Sequence, residues 1–234
     1  MAGGTGGRRR ADGSRPESAR DEIIRVAARL FAERGYAGTT MTLVAKAAGL
    51  RQPSLYYYFR NKEELLHATS SVNRFPAEVV AALASSGAGA PQKLYRLLFE
   101  DTKHLCLLGP LDYHQVESVA YQRPDEFGGF WADYRALFDG VVALVEAGVA
   151  SLRFRPCDPP AAAVAALTLD EGLQKLHRHR TGPLVPASPF DSVDAVAHHS
   201  ATTTLSSLLV DRAMLDSVRA DALTVDLDID IDTP

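Results

Sequence analysis

The sequence has few of the residues and segments that mark secreted, membrane-spanning or disulfide-bonded proteins. Of its 234 residues only two are cysteines, Cys106 and Cys157, and their spacing matches no disulfide or zinc motif. No stretch reaches the roughly 18 uninterrupted apolar residues of a membrane-spanning helix. The arginines near the N-terminus are not followed by an apolar segment, so we expect no signal peptide. These absences predict a cytoplasmic protein that does not insert into a membrane, with both cysteines reduced and structural.

Motifs of common enzyme chemistry are also missing. The sequence has no Gly-x-Ser-x-Gly elbow and no glycine-rich phosphate loop. All seven histidines lie beyond residue 66, and His177-x-His179 and His198-His199 do not place two imidazoles on one helix face, where neighbours are three or four residues apart. We therefore expect no metal site, no cofactor and no enzymatic activity.

Charge is distributed unevenly along the chain, although the formal net charge is only -4. Residues 1–66 carry 12 Lys and Arg against 7 Asp and Glu, which gives +5, whereas residues 67–234 carry 13 against 22, which gives -9. A basic unit joined to a larger acidic one indicates two domains, of which the first is suited to a nucleic-acid partner. Residues 1–16, rich in Gly and Arg, are expected to be a flexible arm that is either solvated or follows DNA phosphates.

Three short helices are predicted after the arm. Apolar residues recur at helical spacing from Ser18 until Gly35, whose place after the last turn is typical of a left-handed C-terminal cap. The second helix is predicted over 41–48, with a threonine at its N-terminal cap, and Gly49 ends it. The third covers about 52–59 and has a proline in its first turn. Helices two and three, joined by a glycine turn, form a helix-turn-helix.

This segment resembles the N-terminal signature of the tetracycline-repressor (TetR) family. The matching residues are Gly35-Tyr36, Thr39-Thr40-Met41, Ala45-x-x-Ala48-Gly49-Leu50 and the run from Leu55 to Leu65. The resemblance implies an all-α protein with a DNA-binding domain at 17–66 and a larger helical domain at 67–215 for ligand binding and dimerisation. It further implies a homodimer on double-stranded operator DNA that a small-molecule effector releases.

Nine residues are candidates for binding DNA. The N-terminal part of a recognition helix faces base edges, where Arg pairs with guanine, Gln with adenine, and a proline ring can contact a thymine methyl. The base-reading candidates are Arg51, Gln52, Pro53 and Ser54. Hydroxyl and ammonium groups beside them suit phosphates, which fix register without reading sequence. The phosphate-binding candidates are Thr40, Thr42, Tyr56, Tyr58 and Lys62.

The larger domain is predicted to be a helical bundle. Apolar stripes run from Leu94 to Leu108 and from Phe127 to Val145, and a third helix over 161–179 places Ala162, Ala166, Leu169, Leu173 and Leu176 on one face. A last helix is expected over 192–215. The resemblance implies that the final two helices pair with those of a second subunit.

Residues 216–234 are expected to be an acidic tail. From Val225 to Asp232 apolar residues alternate with aspartates, which is a period-two strand pattern. A solvated tail, an added edge strand and a segment that screens the basic domain all remain open.

The candidate effector site combines polar groups on apolar stripes with aromatic side chains. Buried polar groups need partners, which a ligand can supply, and aromatic faces can line a cavity. The candidates are Asp101, His104, Tyr113, His114, Trp131 and Tyr134. Ordinary core packing is the alternative for each of them. An effector that is partly apolar or aromatic is expected.

The sequence therefore predicts a ligand-responsive transcriptional repressor. A fourth helix over about 61–70, with a capping box of Asn61 and Glu64, would transmit ligand binding to the recognition helix. An activator, a ligand-independent DNA-binding regulator and an enzyme on the same fold are the alternatives.

Overall fold

The computed structural model describes residues 19–69, 73–107, 113–122, 124–125, 127–178 and 189–229. The helices in these ranges are α1 (Ala19–Gly38), α2 (Met41–Ala47), α3 (Gln52–Tyr58), α4 (Lys62–Thr69), α5 (Arg74–Ser85), α6 (Ala90–Leu107), α7 (Tyr113–Gln122), α8 (Gly128–Ala150), α9 (Pro159–Arg178), α10 (Val193–Leu208) and α11 (Leu215–Leu223). The described residues contain no β-strand, which confirms the all-α prediction. The predicted arm at 1–16 lies outside them.

The chain divides into two compact units, one up to Thr69 and one from Ser70 onward. The first unit contains α1 to α4, with α1 packed on α2 and α4, and α2 packed on α3. Its core consists of apolar side chains from all four helices: Ile23, Val26, Ala27, Leu30, Phe31, Met41, Val44, Ala45, Leu55, Leu65 and Leu66. These residues follow the helical spacing of the sequence, so burial of one face holds each short helix in place.

The break in α1 falls at Gly35, as the sequence predicts. Gly35 has a φ of +68°, a left-handed conformation that glycine adopts without the Cβ clash of other residues. Thr39 is fully buried, and its hydroxyl lies 3.0 Å from the Leu30 carbonyl oxygen and 2.9 Å from that of Gly35. Thr40 is the residue that caps α2, because its Oγ1 accepts a hydrogen bond of 3.2 Å from the Leu43 amide.

Helix α6 is the central element of the second unit. It packs against α5, α8, α9, α10 and α11, and it is buried on nearly every side from Leu94 to Thr102. A helix enclosed in this way must also bury polar side chains, since its sequence is not apolar all round. Glu100 and Asp101 are two such residues, both more than nine-tenths buried.

The buried face of α9 differs from the predicted one. The predicted face of Ala162, Ala166, Leu169, Leu173 and Leu176 is partly wrong, because Leu176 is 38% exposed and the fully buried positions include Ala163, Asp170 and Gln174. The apolar residues of α9 are so numerous that several faces fit helical spacing equally well. The observed face therefore carries two polar residues that the predicted face left out.

The C-terminal region is also more structured than expected. A single helix over 192–215 is wrong: α10 ends at Leu208, and Leu209 forms an antiparallel bridge with Phe154 instead. The Arg155 amide donates to the Leu208 carbonyl at 2.8 Å and the Val210 amide to that of Arg153 at 3.0 Å. Helix α11 occupies 215–223, almost wholly within the segment expected to be an acidic tail, and two of its residues, Val218 and Ala222, are buried.

Candidate functional site

The turn between α2 and α3 sets the direction of α3. Gly49 has a φ of +69°, and the Leu50 amide donates to the Ala45 carbonyl at 2.8 Å. This is the left-handed ending that glycine favours, so α2 ends at this turn and the chain changes direction before α3 begins at Gln52. Arg51 then occupies the N-terminal cap position of α3, with Pro53 in the first turn.

Helix α3 has one buried face and one exposed face. Leu55 is fully buried, and Phe59 directly after the helix is 1% exposed, so this spacing of four residues fixes the inner side. All four residues from Arg51 to Ser54 are exposed. At 100° per residue, Pro53 and Tyr57 lie opposite Leu55 and form the centre of the outer face. The predicted base-reading residues are therefore all accessible at the N-terminal end of α3, with Pro53 at the centre of its outer face.

The three tyrosines of α3 differ in accessibility. Tyr57 is 86% exposed and Tyr56 is 44% exposed, whereas Tyr58 is half-buried and contacts the Tyr57 ring edge-on at 5.3 Å. Tyr56 and Tyr58 are candidates from the sequence, and Tyr57, the most exposed of the three, is not among them. Its position half a turn from Leu55 was the signal that could have found it.

Lys62 is placed against the loop that follows Gly35. Its Nζ donates to the Tyr36 carbonyl at 2.8 Å and lies 3.9 Å from the centre of the Tyr36 ring. The Tyr36 hydroxyl in turn donates to Glu63. These contacts give Lys62 a role in joining α4 to α1, while two of the three N–H bonds of an ammonium group remain for other partners.

The segment around α2 and α3 is purely basic. Residues 35–62 contain four Lys and Arg and no Asp or Glu. Thr40, Thr42 and Lys46 are exposed on or beside α2. The surface that includes α3 thus attracts anions.

Asn61 caps α4 as predicted, because its Oδ1 accepts a hydrogen bond from the Glu64 amide at 2.7 Å. The predicted capping box is incomplete, because the Glu64 side chain binds the amide of Arg60 rather than that of Asn61.

In the second unit four carboxyl groups form what we call the buried acidic cluster: Asp101 of α6, Glu117 of α7, and Asp170 and Glu171 of α9. Asp170 is fully buried and Asp101 is 3% exposed. The Asp101 and Asp170 side chains are hydrogen-bonded to each other, and Asp170 also accepts a hydrogen bond from the Ser200 hydroxyl of α10. A bond between two carboxyl groups needs a proton on one of them, so the pair shares a proton.

Burial is the main cause of the raised pKa values in this cluster. Burial and the neighbouring Asp170 charge raise the pKa of Asp101 well above its usual value. Burial raises the pKa of Asp170 to about 7, against the hydrogen bonds that lower it. The pKa of Glu171 is raised to about 7 by burial and by the charges of Glu117 and Asp101. Among the described residues, no Lys or Arg forms an ion pair with Asp101, Asp170 or Glu171.

Two neutral polar groups near the cluster also lack partners. Gln174, one turn beyond Asp170 on α9, is fully buried, and neither atom of its amide has a hydrogen-bond partner among the described residues. The Tyr113 hydroxyl, buried at the start of α7, is unpartnered in the same sense. Its pKa is raised by burial first and then by the charges of Glu171 and Glu117. Buried donors and acceptors without partners cost free energy, so they indicate a missing ligand or water.

Aromatic side chains of α8 lie beside these polar groups. The Trp131 Nε1 donates to the Ala120 carbonyl at 3.3 Å, and its ring contacts Phe130 and Tyr134 edge-on. Burial, followed by the charges of Glu171 and Glu117, raises the pKa of Tyr134 to about 12, which places Tyr134 within reach of the cluster's field. The arrangement combines aromatic faces with carboxyl groups.

Comparison with known proteins identifies the first unit. Residues 23–69 match the family described as bacterial regulatory proteins, tetR family. A Bacillus subtilis protein, the uncharacterized HTH-type transcriptional regulator YhgD, is 28% identical over 63% of this chain and 78% of its own length. The first unit therefore carries the TetR-family segment. Its helix-turn-helix is therefore that of a DNA-binding transcriptional regulator.

Two further TetR-family proteins are informative. The HTH-type transcriptional repressor KstR2 of Mycolicibacterium smegmatis is 43% identical over 23% of this chain, and the match spans about a quarter, 26%, of that repressor. The crystal structure of AibR in complex with isovaleryl coenzyme A and operator DNA has a TM-score of 0.60 and 21% identity, covering 80% of this chain and 97% of that one. This likeness shows that the second unit shares the fold. None of the described helices is long and apolar enough to cross a membrane.

The predicted effector residues of this chain fall into two groups. Asp101, Tyr113 and Tyr134 are brought together by their shared electrostatic field with Glu117 and Glu171. Two others adjoin this group, because His114 Nδ1 lies 3.6 Å from Glu117 and the Trp131 ring contacts that of Tyr134 edge-on, whereas the His104 ring stacks on Phe75 at 4.7 Å.

Four residues of the site, Glu117, Asp170, Glu171 and Gln174, were not predicted from the sequence. The signal that could have found those on α9 is the interruption of this alanine-rich helix by Asp170 and Gln174, four residues apart on one face.

Proposed function

We propose that this protein is a homodimeric, ligand-responsive transcriptional repressor that acts on a palindromic operator in the cytoplasm. The observation that carries the proposal is helix α3, whose first residues are all exposed within a segment of 28 residues, 35–62, that has no acidic side chain. A helix presented in this way fits the major groove, where base edges are read. The match of residues 23–69 to the TetR family supports the same function.

Base reading is assigned to the N-terminal end of α3. Gln52 can form paired hydrogen bonds with an adenine, Arg51 with a guanine, and Pro53 can contact a thymine methyl. The test is selection of an operator from a random duplex pool, followed by fluorescence anisotropy. Gln52→Ala should weaken binding by about 1–3 kcal/mol and relax the preference at one base pair in each half-site. Arg135→Ala, which removes an exposed cation from α8, should leave affinity and preference unchanged.

Phosphate binding is assigned to the side chains that surround that end: Thr40, Thr42, Tyr56, Tyr57, Tyr58 and Lys62. Lys62 is the case that needs a separate test, because it also binds Tyr36. If Lys62 binds a phosphate, Lys62→Met lowers the slope of log affinity against log salt by about one unit. If its role is only to join α4 to α1, the variant lowers the unfolding temperature and leaves the slope unchanged.

Dimerisation is assigned to the exposed face of α9. This face consists of Ala161, Val164, Ala165, Thr168 and Gly172, which recur at helical spacing, and Val164 is 56% exposed. Small exposed residues allow two helices to approach closely, and two recognition helices about 34–36 Å apart address half-sites one helical turn apart. Val164→Arg should yield a monomer in sedimentation velocity, whereas Glu146→Lys on α8 should remain a dimer. A dimeric Val164→Arg protein would contradict the assignment.

The effector is assigned to the buried groups of the second unit. AibR, which shares this fold, has been solved with isovaleryl coenzyme A and operator DNA together. Linkage requires that an effector that weakens operator binding is itself bound more weakly by the operator complex, by the same factor. Isothermal titration with and without operator measures both affinities, and equal values would contradict ligand-induced release.

Repression and the absence of catalysis are proposed together. KstR2 is named a repressor, and its match covers 53 residues, or 23% of this chain. In transcription in vitro from a promoter that overlaps the selected operator, we expect the protein to lower transcript levels; an increase would identify an activator. An effector recovered chemically unchanged after prolonged incubation agrees with a regulator, whereas its consumption would reveal an enzyme.

A further inference from the structure

We infer that the effector is an organic cation, an ammonium or guanidinium group on an apolar or aromatic body, bound by Asp101, Asp170 and Glu171. This inference rests on the proposed function only in taking the bound molecule to be the effector. Binding at the cluster itself is a property of the second unit and can be measured without DNA.

Three members of the buried acidic cluster, Asp101, Asp170 and Glu171, have no Lys or Arg paired with them among the described residues, whereas Glu117 has His114 Nδ1 3.6 Å away. Glu100, the residue before Asp101, is equally buried but has the Arg96 guanidinium 3.1 Å away. The neighbouring charges that act on Asp101 and Glu171 are carboxylates. Buried charges in proteins are normally paired, so a group of acids without a described cation is suited to one that arrives with a ligand.

Unpartnered neutral groups lie near the same acids. The Gln174 amide offers two donors and an acceptor, and the Tyr113 hydroxyl offers one donor and two acceptor sites. Both side chains are more than nine-tenths buried, and neither polar group has a described partner. Because Gln174 lies one turn from Asp170 on the same buried face of α9, one ligand can bind the carboxyl pair and the amide together.

Aromatic rings beside the acids indicate the body of the ligand. Tyr134 and Trp131 present these rings, and a cation over an aromatic face gains further stabilisation. An anionic ligand would instead be repelled by the carboxylates at this site. A phosphate-bearing molecule such as the isovaleryl coenzyme A found with AibR would face the carboxylates of Asp170 and Glu171 without a described Lys or Arg to bind it. We therefore expect the ligand of this chain to differ in charge from the isovaleryl coenzyme A bound to AibR.

Proton exchange accompanies the binding. The carboxyl pair shares a proton in the free protein, and a bound cation favours the fully ionised pair, so the proton leaves to solvent. The titratable groups on the surrounding helices are His104 of α6, Tyr113, His114 and Glu117 of α7, Tyr134 of α8, and His177 of α9. Since the pKa values of Asp170 and Glu171 are about 7, affinity for the cation should rise about tenfold or more between pH 6 and pH 8.

The test uses matched probes that differ only in head group. Naphthalene-, biphenyl- and decyl-methylamines are compared with the corresponding alcohols and carboxylates by thermal shift and isothermal titration on the full chain. We expect at least one amine to bind about tenfold or more tightly than its alcohol, and the carboxylates not to bind. The inference is wrong if no amine exceeds its alcohol, or if Mg²⁺ or Zn²⁺ alone stabilises the protein and the amines do not.

Variants then locate the site. Asp170→Asn and Glu171→Gln should each weaken the amine about tenfold or more, whereas Asp139→Asn, which neutralises an exposed acid of α8, should not. Glu171 is only partly buried, so its variant tests the site even if Asp170→Asn fails to fold. An amine that binds both variants as tightly as the wild type overturns the assignment.

Operator binding separates this inference from the proposed function. If an amine binds through the cluster but leaves operator affinity unchanged, the cation site stands and its role as the effector site is wrong. If no operator can be selected, the proposed repressor function fails while the ligand result is unaffected.

Discussion

Two adjacent residues of α6 meet opposite surroundings. Glu100 and Asp101 are both more than nine-tenths buried, yet Glu100 lies beside Arg96 whereas Asp101 lies beside a second acid, Asp170. Neighbouring positions on a helix point about 100° apart, so Glu100 meets the charges of Arg96, Lys103 and Asp194, whereas Asp101 meets Asp170 of α9. In charge, one site is complete within the chain because Arg96 pairs with Glu100, and the other is complete only with a proton or a ligand.

The complete site has a structural role. Arg96 Nε lies 3.1 Å from Glu100 Oε1, and its Nη1 donates at 2.9 Å to the carbonyl of Leu223, the last residue of α11. A cation at the C-terminus of a helix satisfies free carbonyl groups and complements the helix dipole. Arg96 therefore joins α11 to α6. A site that binds a cationic ligand needs unpaired carboxyl groups, because a carboxylate that already has a cation beside it has little to offer such a ligand.

The largest expected effect is on the complete site. Arg96→Met leaves the Glu100 carboxylate buried and unpaired and removes the bond to Leu223, so we expect a loss of about 3–5 kcal/mol in the free energy of unfolding, measured by urea titration. The double variant Arg96→Met/Glu100→Leu should recover most of that loss, because it leaves no charge behind. A single variant as stable as the wild type would break the comparison, since the two acids would then be equivalent.

The sequence predicted the helix-turn-helix well and the acidic site around Asp101 poorly, and the reason is physical. In the first unit, Gly35, Gly49, Pro53 and Asn61 act through local backbone preferences, so the helix-turn-helix could be located without any tertiary information. Asp101 and Tyr134 could be selected as polar residues on apolar stripes.

Asp170 and Gln174 could not be identified from the sequence, because the alanines of α9 fit several possible buried faces. Only the packing of α9 against α6 and α10 determines which face is buried. The pairing of Asp101 with Asp170 joins residues 69 positions apart, which no local pattern reports.

The second expected effect is on the pH dependence of stability. The pKa values of Asp101 and Asp170 are raised above the usual 3.8 of the unfolded chain, so the folded state binds more protons than the unfolded state between about pH 4 and pH 7. Their contribution to stability is present below pH 4 and is lost as pH rises through about 7. We expect the free energy of unfolding to fall across that window as the pair loses its protons.

Asp101→Asn provides the control for that slope, because a neutral amide cannot repel the Asp170 carboxylate. Urea titrations of the variant at pH 5, 6, 7 and 8 should show a flatter profile than those of the wild type. Glu100→Gln should retain the slope of the Asp pair, although it loses stability at every pH. A wild-type profile as flat as that of Asp101→Asn would show that the acid pair is already ionised in the folded protein.

The smallest effect concerns Gln174 and separates a ligand-binding residue from a structural one. Gln174→Met removes an amide with no described partner and keeps the volume of the side chain, so the free protein should gain about 0.5–1 kcal/mol in unfolding free energy. The same variant should bind the amine probes more weakly, because it loses donors and an acceptor that a ligand would use. Gln92→Met on α6, half-buried outside the cluster, should change neither quantity by more than about 0.5 kcal/mol. If the variant is more stable and binds the amines more weakly, the Gln174 amide is a ligand-binding group. If the variant is less stable, Gln174 has a structural role in the fold.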